Sequence, residues 1–185
     1  TSGLVFGGKV PPSTTFTEEW TGAGAAVGAW STGGTMNTGR GNLGSAGASY
    51  NATIGYGGIG NQPSYTTEAK TESYDGTTWT EVNDLNTARI ALNIGAQQSS
   101  TSALAFGGEV PPGSGKNETE VWNGTNWTEV NNLNTARYSL AGTGADSTAC
   151  LAAGGVVSTT YQSVTESWNG SNWTEVNNLN SARGE

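Results

Sequence analysis

Two ionisable residues return at fixed places along this chain. An arginine stands at Arg40, Arg89, Arg137 and Arg183, and a glutamate at Glu72, Glu120 and Glu166. A carboxylate beside a second polar group is the raw material of acid–base and glycosidase chemistry. Repetition argues against that use, because a catalytic pair has no reason to be built three times in identical settings. The pair is instead expected to be structural, as an ion pair or as hydrogen bonds to backbone carbonyls between units. Trp30, Trp79, Trp127 and Trp173 keep the same beat. Indole rings can stack on sugars, yet an aromatic at one register of every unit is expected to pack unit against unit, each burying about 150–250 Å². Only Trp20 and Trp30, in the least regular unit, stand apart as ligand-facing candidates.

Composition removes most other chemistry. The chain has no His and one Cys, which excludes His-based triads, and it has no Asp-x-Asp-x-Asp-Gly calcium loop. No catalytic residue, metal site or cofactor is therefore expected. Cys150, in the apolar run TACLAAGG, reads as a buried small hydrophobe and cannot form an intrachain disulfide. A net charge of −8 opposes binding to a nucleic-acid backbone, which calls for clustered Lys and Arg. No stretch is apolar for the length of a membrane helix, so no membrane insertion is expected. Asn-x-Ser/Thr sequons at Asn51, Asn117, Asn123, Asn126, Asn169 and Asn172 follow from the repeat and from the abundance of Asn and Thr.

The elements that must position these residues are written in the repeat itself. NETEVWNGTNWTEVNNLNTAR at 117–137 returns as VTESWNGSNWTEVNNLNSAR at 164–183 and KTESYDGTTWTEVNDLNTAR at 70–89, with a worn copy at 15–40. Gly-Gly pairs at Gly7–Gly8, Gly57–Gly58, Gly107–Gly108 and Gly154–Gly155 are spaced by 50, 50 and 47 residues. A period of that length belongs to architectures whose units cannot bury their own apolar faces and lean on their neighbours. Each unit reads as four strands: A (SLAGTGA), B (TACLAA, ending at Gly-Gly), C (VTESW) and D (WTEV), the last two joined through Asn-Gly or Asp-Gly, a strong hairpin signal. In strand C of the third unit, Glu120 and Trp122 face one way, Thr119 and Val121 the other. Four antiparallel strands at this period make an all-β propeller blade. The units run approximately over 1–39 (partial and irregular), 40–88, 89–136 and 137–182, and 183–185 opens another.

The order Gly-Gly, Glu-x-Tyr/Trp, Trp about five residues on, then Arg resembles the kelch repeat, over almost the whole chain and weakly in the first unit. Gly39–Arg40 and the stretched connection TGAGAAVGAW depart from it, so distortion is expected there. Kelch rings usually close with six or seven blades. The sequence, opening in mid-pattern at TSGLVFGG, is therefore expected to be part of a ring completed by more chain or by further copies. A copper oxidase built on this fold needs a His that is absent here. FGGxVPP, TEEWTG, TEVNNLNTAR and ALAFGG resemble the kelch-like repeats of marine bacteriophage structural proteins, particularly those of cyanophages. That resemblance implies a virion component, such as a tail fibre, appendage or capsid-surface protein, meeting other virion proteins or a host-surface protein or glycan. The alternatives are a general kelch protein-interaction scaffold, secreted or at a cell surface, and a carbohydrate-active enzyme.

The loops between strands B and C differ in length and wording: KVPPSTTF, IGNQPSYTTEAK, EVPPGSGKN and VVSTTYQS. Strand alternation puts them on one rim together with the D–A segments, and variable loops on a constant scaffold are where binding usually resides. The binding candidates are Pro11, Pro12, Gln62, Tyr65, Pro111, Pro112, Lys116, Tyr161 and Gln162. The prolines also have a purely structural reading, as stiffeners of their loops.

Overall fold

A computed structural model describes residues 2–7, 14–21, 29–61, 65–92 and 99–184. Regular structure among them is entirely β, arranged as successive antiparallel blade-like sheets. The first contains β1 (Ser2–Phe6), β2 (Thr17–Thr21) and β3 (Ala29–Thr32). The second contains β4 (Gly44–Ser49), β5 (Ala52–Tyr56), β6 (Thr71–Tyr74) and β7 (Trp79–Val82). The third is built from β8 (Ala103–Phe106), then, beyond a small hairpin of β9 (Glu109–Val110) and β10 (Ser114–Gly115), β11 (Thr119–Trp122) and β12 (Trp127–Val130). The fourth has β13 (Ala141–Asp146) and β14 (Ala149–Ala153). A hairpin of β15 (Val156–Val157) and β16 (Thr160–Tyr161) follows, then β17 (Thr165–Trp168) and β18 (Trp173–Val176). The second and fourth sheets show all four strands in the order A-B-C-D. In the third unit strand A falls on residues 93–98, outside those described.

Local chemistry accounts for the tight turns. Between strands C and D, the Oδ1 atoms of Asp75, Asn123 and Asn169 each accept two backbone N–H bonds at 2.8–3.0 Å, from the second and third residues beyond. Gly76, Gly124 and Gly170 then take φ of +96°, +91° and +91°, a conformation glycine adopts without a Cβ penalty. The sequons at Asn123 and Asn169 are thus the wording of a turn. In the second to fourth sheets the turn sets one register, with Tyr74, Trp122 and Trp168 opposite Trp79, Trp127 and Trp173, and in the first sheet Trp20 likewise stands opposite Trp30. The first unit keeps this register through β1, β2 and β3 without a shift, so the expected distortion does not reach its strand pairing. Its stretched connection, 22–28, lies outside the described residues.

The core is a series of seams between neighbouring blades. Met36 of the first unit, with Leu4, Phe6 and Leu43 against it, meets Tyr74 and Trp79. Ile54, Tyr56 and Leu85 meet Trp122 and Trp127; Leu104, Phe106 and Leu133 meet Trp168 and Trp173. At each seam an aromatic from strand B packs on the strand D indole of the next blade, with centroids 4.7 Å apart for Phe6–Trp79 and 4.9 Å for Tyr56–Trp127 and Phe106–Trp173. The alternation of β11 is as its sequence reads: Glu120 and Trp122 face the second blade, Thr119 and Val121 the fourth. Cys150 is buried in the last seam, and burial pushes its thiol up to about 11.

Candidate functional site

The recurring residues converge at the seams. Arg40 donates from Nη2 to Glu72 at 2.9 Å, Arg89 to Glu120 at 2.8 Å and Arg137 to Glu166 at 2.6 Å, with every one of these side chains wholly buried. Each arginine lies in the segment that leaves strand D of one sheet, and its partner is the glutamate in strand C of the next sheet, so each ion pair ties that connecting segment to the following blade. Nη1 of the same guanidinium reaches two carbonyls of that following blade: Gly57 and Lys70, Gly107 and Glu118, or Gly154 and Val164. Both structural roles expected for the arginine, ion pair and carbonyl clamp, are filled by the one side chain. Burial lowers the proton affinity of the Arg89 guanidinium, and Glu120 opposes that shift.

Each carboxylate accepts several hydrogen bonds. Glu120 accepts Arg89 and the Thr87 backbone N–H on Oε1, and both the backbone N–H and the Nδ2 of Asn86 on Oε2. Glu72 takes the same set from Arg40, Thr38 and Asn37; Glu166 is held by Arg137 and Asn134. A carboxylate wholly buried against a guanidinium and several N–H groups is engaged within the seam and does not face solvent. A second latch lies beside the first. The indole N–H groups of Trp79, Trp127 and Trp173 donate to Thr17, Thr71 and Thr119 of the preceding blade at 2.9–3.0 Å. Sequence reading did not single out these threonines or Asn37, Asn86 and Asn134. Their signal is the Thr-Glu dipeptide that opens strand C in every unit and the Asn three residues before each Arg.

The Gly-Gly pairs complete the seam. The first glycine offers its carbonyl to the arginine of the preceding blade. In the later units the second donates its N–H to an arginine carbonyl of its own, at 2.9 Å for Gly58–Arg89 and Gly108–Arg137 and 2.7 Å for Gly155–Arg183. Gly57 and Gly107 have φ of +65°, and a Cβ on either would lie 2.5–2.6 Å from a leucine methyl. Gly7 and Gly154 share this backbone, while Gly8 lies outside the described residues.

The binding candidates sit away from the seams' interiors, on the B–C rim. Exposed Tyr65 and Tyr161 lie in the connections of the second and fourth blades. Pro111 and Pro112 form the exposed turn between β9 and β10. Lys116 and Gln162 are more constrained than a free loop: their N–H groups bond Gly108 and Gly155, and their carbonyls accept from Arg137 and Arg183. Their side chains extend from a structural rung, with the Lys116 ammonium 3.8 Å from Glu118. Pro11, Pro12 and Gln62 lie outside the described residues. The backbone of Trp30 lies in β3, and its side chain is not described. Trp20, opposite it in β2, is half-buried. Among the described residues no three acidic or Cys side chains gather as a metal site would require.

No protein-family model matches the chain, and neither does any curated protein sequence.

Proposed function

We propose that the chain is a non-enzymatic binding scaffold of kelch-like blades that presents its B–C loops for attachment, as a component of a phage virion. One observation carries the scaffold reading. Every described Arg–Glu pair of the repeat is consumed in a buried blade-to-blade latch, while the loops that differ between units carry exposed aromatic side chains. A constant frame that spends its charges internally leaves recognition to the rim. Exposed tyrosines are apt there, since they offer an apolar ring and a polar tip at low entropic cost. The virion setting rests on the wording of the repeats, and its targets are other virion proteins or a host-surface protein or glycan.

The test has two parts. Mass spectrometry of purified particles is expected to detect the chain, and a diffusible product absent from particles would refute the virion setting. Tyr65→Ala with Tyr161→Ala is expected to weaken attachment to host cells at least about tenfold without unfolding the protein. Unchanged attachment would leave the rim without its assigned role. Glycan turnover by the assembled protein would overturn the non-enzymatic reading.

A further inference from the structure

We propose that Asn123 and Asn169 are sites at which the chain modifies itself, each side-chain amide closing onto the nitrogen of the following glycine with loss of ammonia. The observation is a pair of backbone N–H groups aimed at one oxygen. Asn123 Oδ1 accepts from Thr125 at 2.9 Å and from Asn126 at 2.8 Å; Asn169 Oδ1 accepts from Ser171 at 3.0 Å and from Asn172 at 2.8 Å. When a nucleophile adds to Cγ, that oxygen becomes the oxyanion, and donors about 2.7–3.1 Å away stabilise the charge as it develops. The nucleophile is at hand. The nitrogens of Gly124 and Gly170 are joined to the asparagines through the backbone carbonyl, so attack on Cγ closes a small imide ring. Both glycines are exposed, carry no side chain that would shield the nitrogen, and donate to no acceptor among the described residues.

The step balances with water as its only co-reactant. The glycine nitrogen gives up its proton to solvent and forms the bond to Cγ; the bond from Cγ to Nδ2 breaks, and the amide nitrogen departs as ammonia. Water then opens the imide at one of its two carbonyls. Opening at the newly formed bond leaves aspartate. Opening at the original peptide bond leaves isoaspartate, whose main chain runs through the side-chain carbon. Nothing is oxidised or reduced.

Neighbouring residues show what the site requires. Asn126 and Asn172 stand in the same exposed turns, but tryptophan follows each of them, and their Oδ1 atoms accept side-chain amides from Asn83 and Asn131 instead of paired backbone N–H groups. The second unit already carries the product. Asp75 fills the same turn, its Oδ1 accepting the N–H groups of Thr77 and Thr78, each at 2.8 Å. The amides of Thr78 and Thr77 hold its carboxyl below the ordinary range, and a carboxylate resists attack at Cγ. Aspartate therefore fits this turn, and each conversion adds one negative charge to a chain of net charge −8. Isoaspartate moves the acceptor away from both N–H groups and opens the turn. These turns join strands C and D, away from the B–C rim, so the reaction is independent of what the loops bind.

The experiment incubates the full chain at neutral pH, folded and unfolded in guanidinium chloride, until the unfolded sample has lost its Asn-Gly amides. Peptide mass spectrometry follows each asparagine, and isoelectric focusing follows the whole chain. The folded chain is expected to lose the amides of Asn123 and Asn169 ahead of those of Asn126 and Asn172, with bands stepping below the starting isoelectric point of about 4.4. Gly124→Ala and Gly170→Ala are each expected to remove the reaction at their own turn, and Asp75→Asn to lose its new amide and return to the parent mass. Melting curves establish that these variants fold. Asn123→Asp with Asn169→Asp is expected to melt with the parent chain, and the isoaspartate-containing fraction below it. A folded chain that keeps both amides would show that the turn guards them and would overturn the proposal. Equal loss at Asn126 and Asn172 would overturn it as well.

Discussion

The seams and the B–C rim are built on opposite terms. At a seam the same residues recur with nearly the same distances, and the buried charges are paired with one another: Glu120 alone accepts four N–H bonds. On the rim, the connection of the second blade carries Tyr65, that of the third the Pro111–Pro112 turn, and that of the fourth a hairpin ending at Tyr161. The difference teaches where change is tolerated. Desolvated charge fixes the wording of the seam, because removing one partner strands the other out of water. The described rim residues Tyr65, Pro111, Pro112 and Tyr161 are exposed and bury no such charge, so their wording is freer to vary.

The largest effect is expected from breaking a latch. Glu120→Gln leaves the wholly buried Arg89 without its counter-charge and should cost about 3–5 kcal/mol in urea unfolding. Fully normal stability would show that the carbonyl clamp alone holds the seam. The glycines give a matched comparison of the two regions. Gly107 and Gly113 have φ of +65° and +74°, but a Cβ at Gly107 meets Leu140 at 2.6 Å and the Arg137 carbonyl at 2.8 Å, whereas nothing lies within 4 Å at Gly113. Both alanine variants carry left-handed strain of about 1–2 kcal/mol. Gly107→Ala adds overpacking of about 1–3 kcal/mol, so its melting temperature should fall well below that of Gly113→Ala. Equal losses would mean that the seam yields as readily as the rim.

Smaller effects sharpen the same contrast. Tyr65→Ala and Tyr161→Ala, both on exposed rim positions, should each change stability by less than about 0.5 kcal/mol, measured beside the attachment assay. The smallest effect belongs to the turns. Amide donors from Thr78 and Thr77 hold the Asp75 carboxyl below its ordinary range, and the hydroxyl and then the amide of Thr148 do so for Asp146. A lowered folded-state value means stability that is present above the unfolded value of about 3.9 and lost as pH falls through the folded one. Acid titration of the melting temperature should therefore show a slight decline below about pH 4. Asp75→Asn, which supplies the turn acceptor that Asn123 and Asn169 already provide, should flatten part of it.

Much of this architecture could be read from the chain alone. Strand D was marked by WTEV and the preceding turn by Asn-Gly, because a positive φ and a side-chain acceptor act within three residues. Strand C showed its two faces by alternation, since the period of a pleated strand is local geometry. The structural role of the Arg and Glu followed from their repetition. The choice of partner did not. That Arg89 takes Glu120 of the next blade, that Trp127 donates back to Thr71, and that Gly34 is small because a Cβ would lie 2.2 Å from the Thr77 carbonyl are facts of blade-on-blade packing. These contacts join residues tens of positions apart, and no local propensity encodes them. The sequence by itself determined strands B, C and D, the turn between C and D and the two faces of strand C; the short hairpins β9–β10 and β15–β16 in connections read as loops, and which neighbour each buried charge and indole would meet, were decided only by the tertiary structure, because they depend on how one twisted sheet seats against the next.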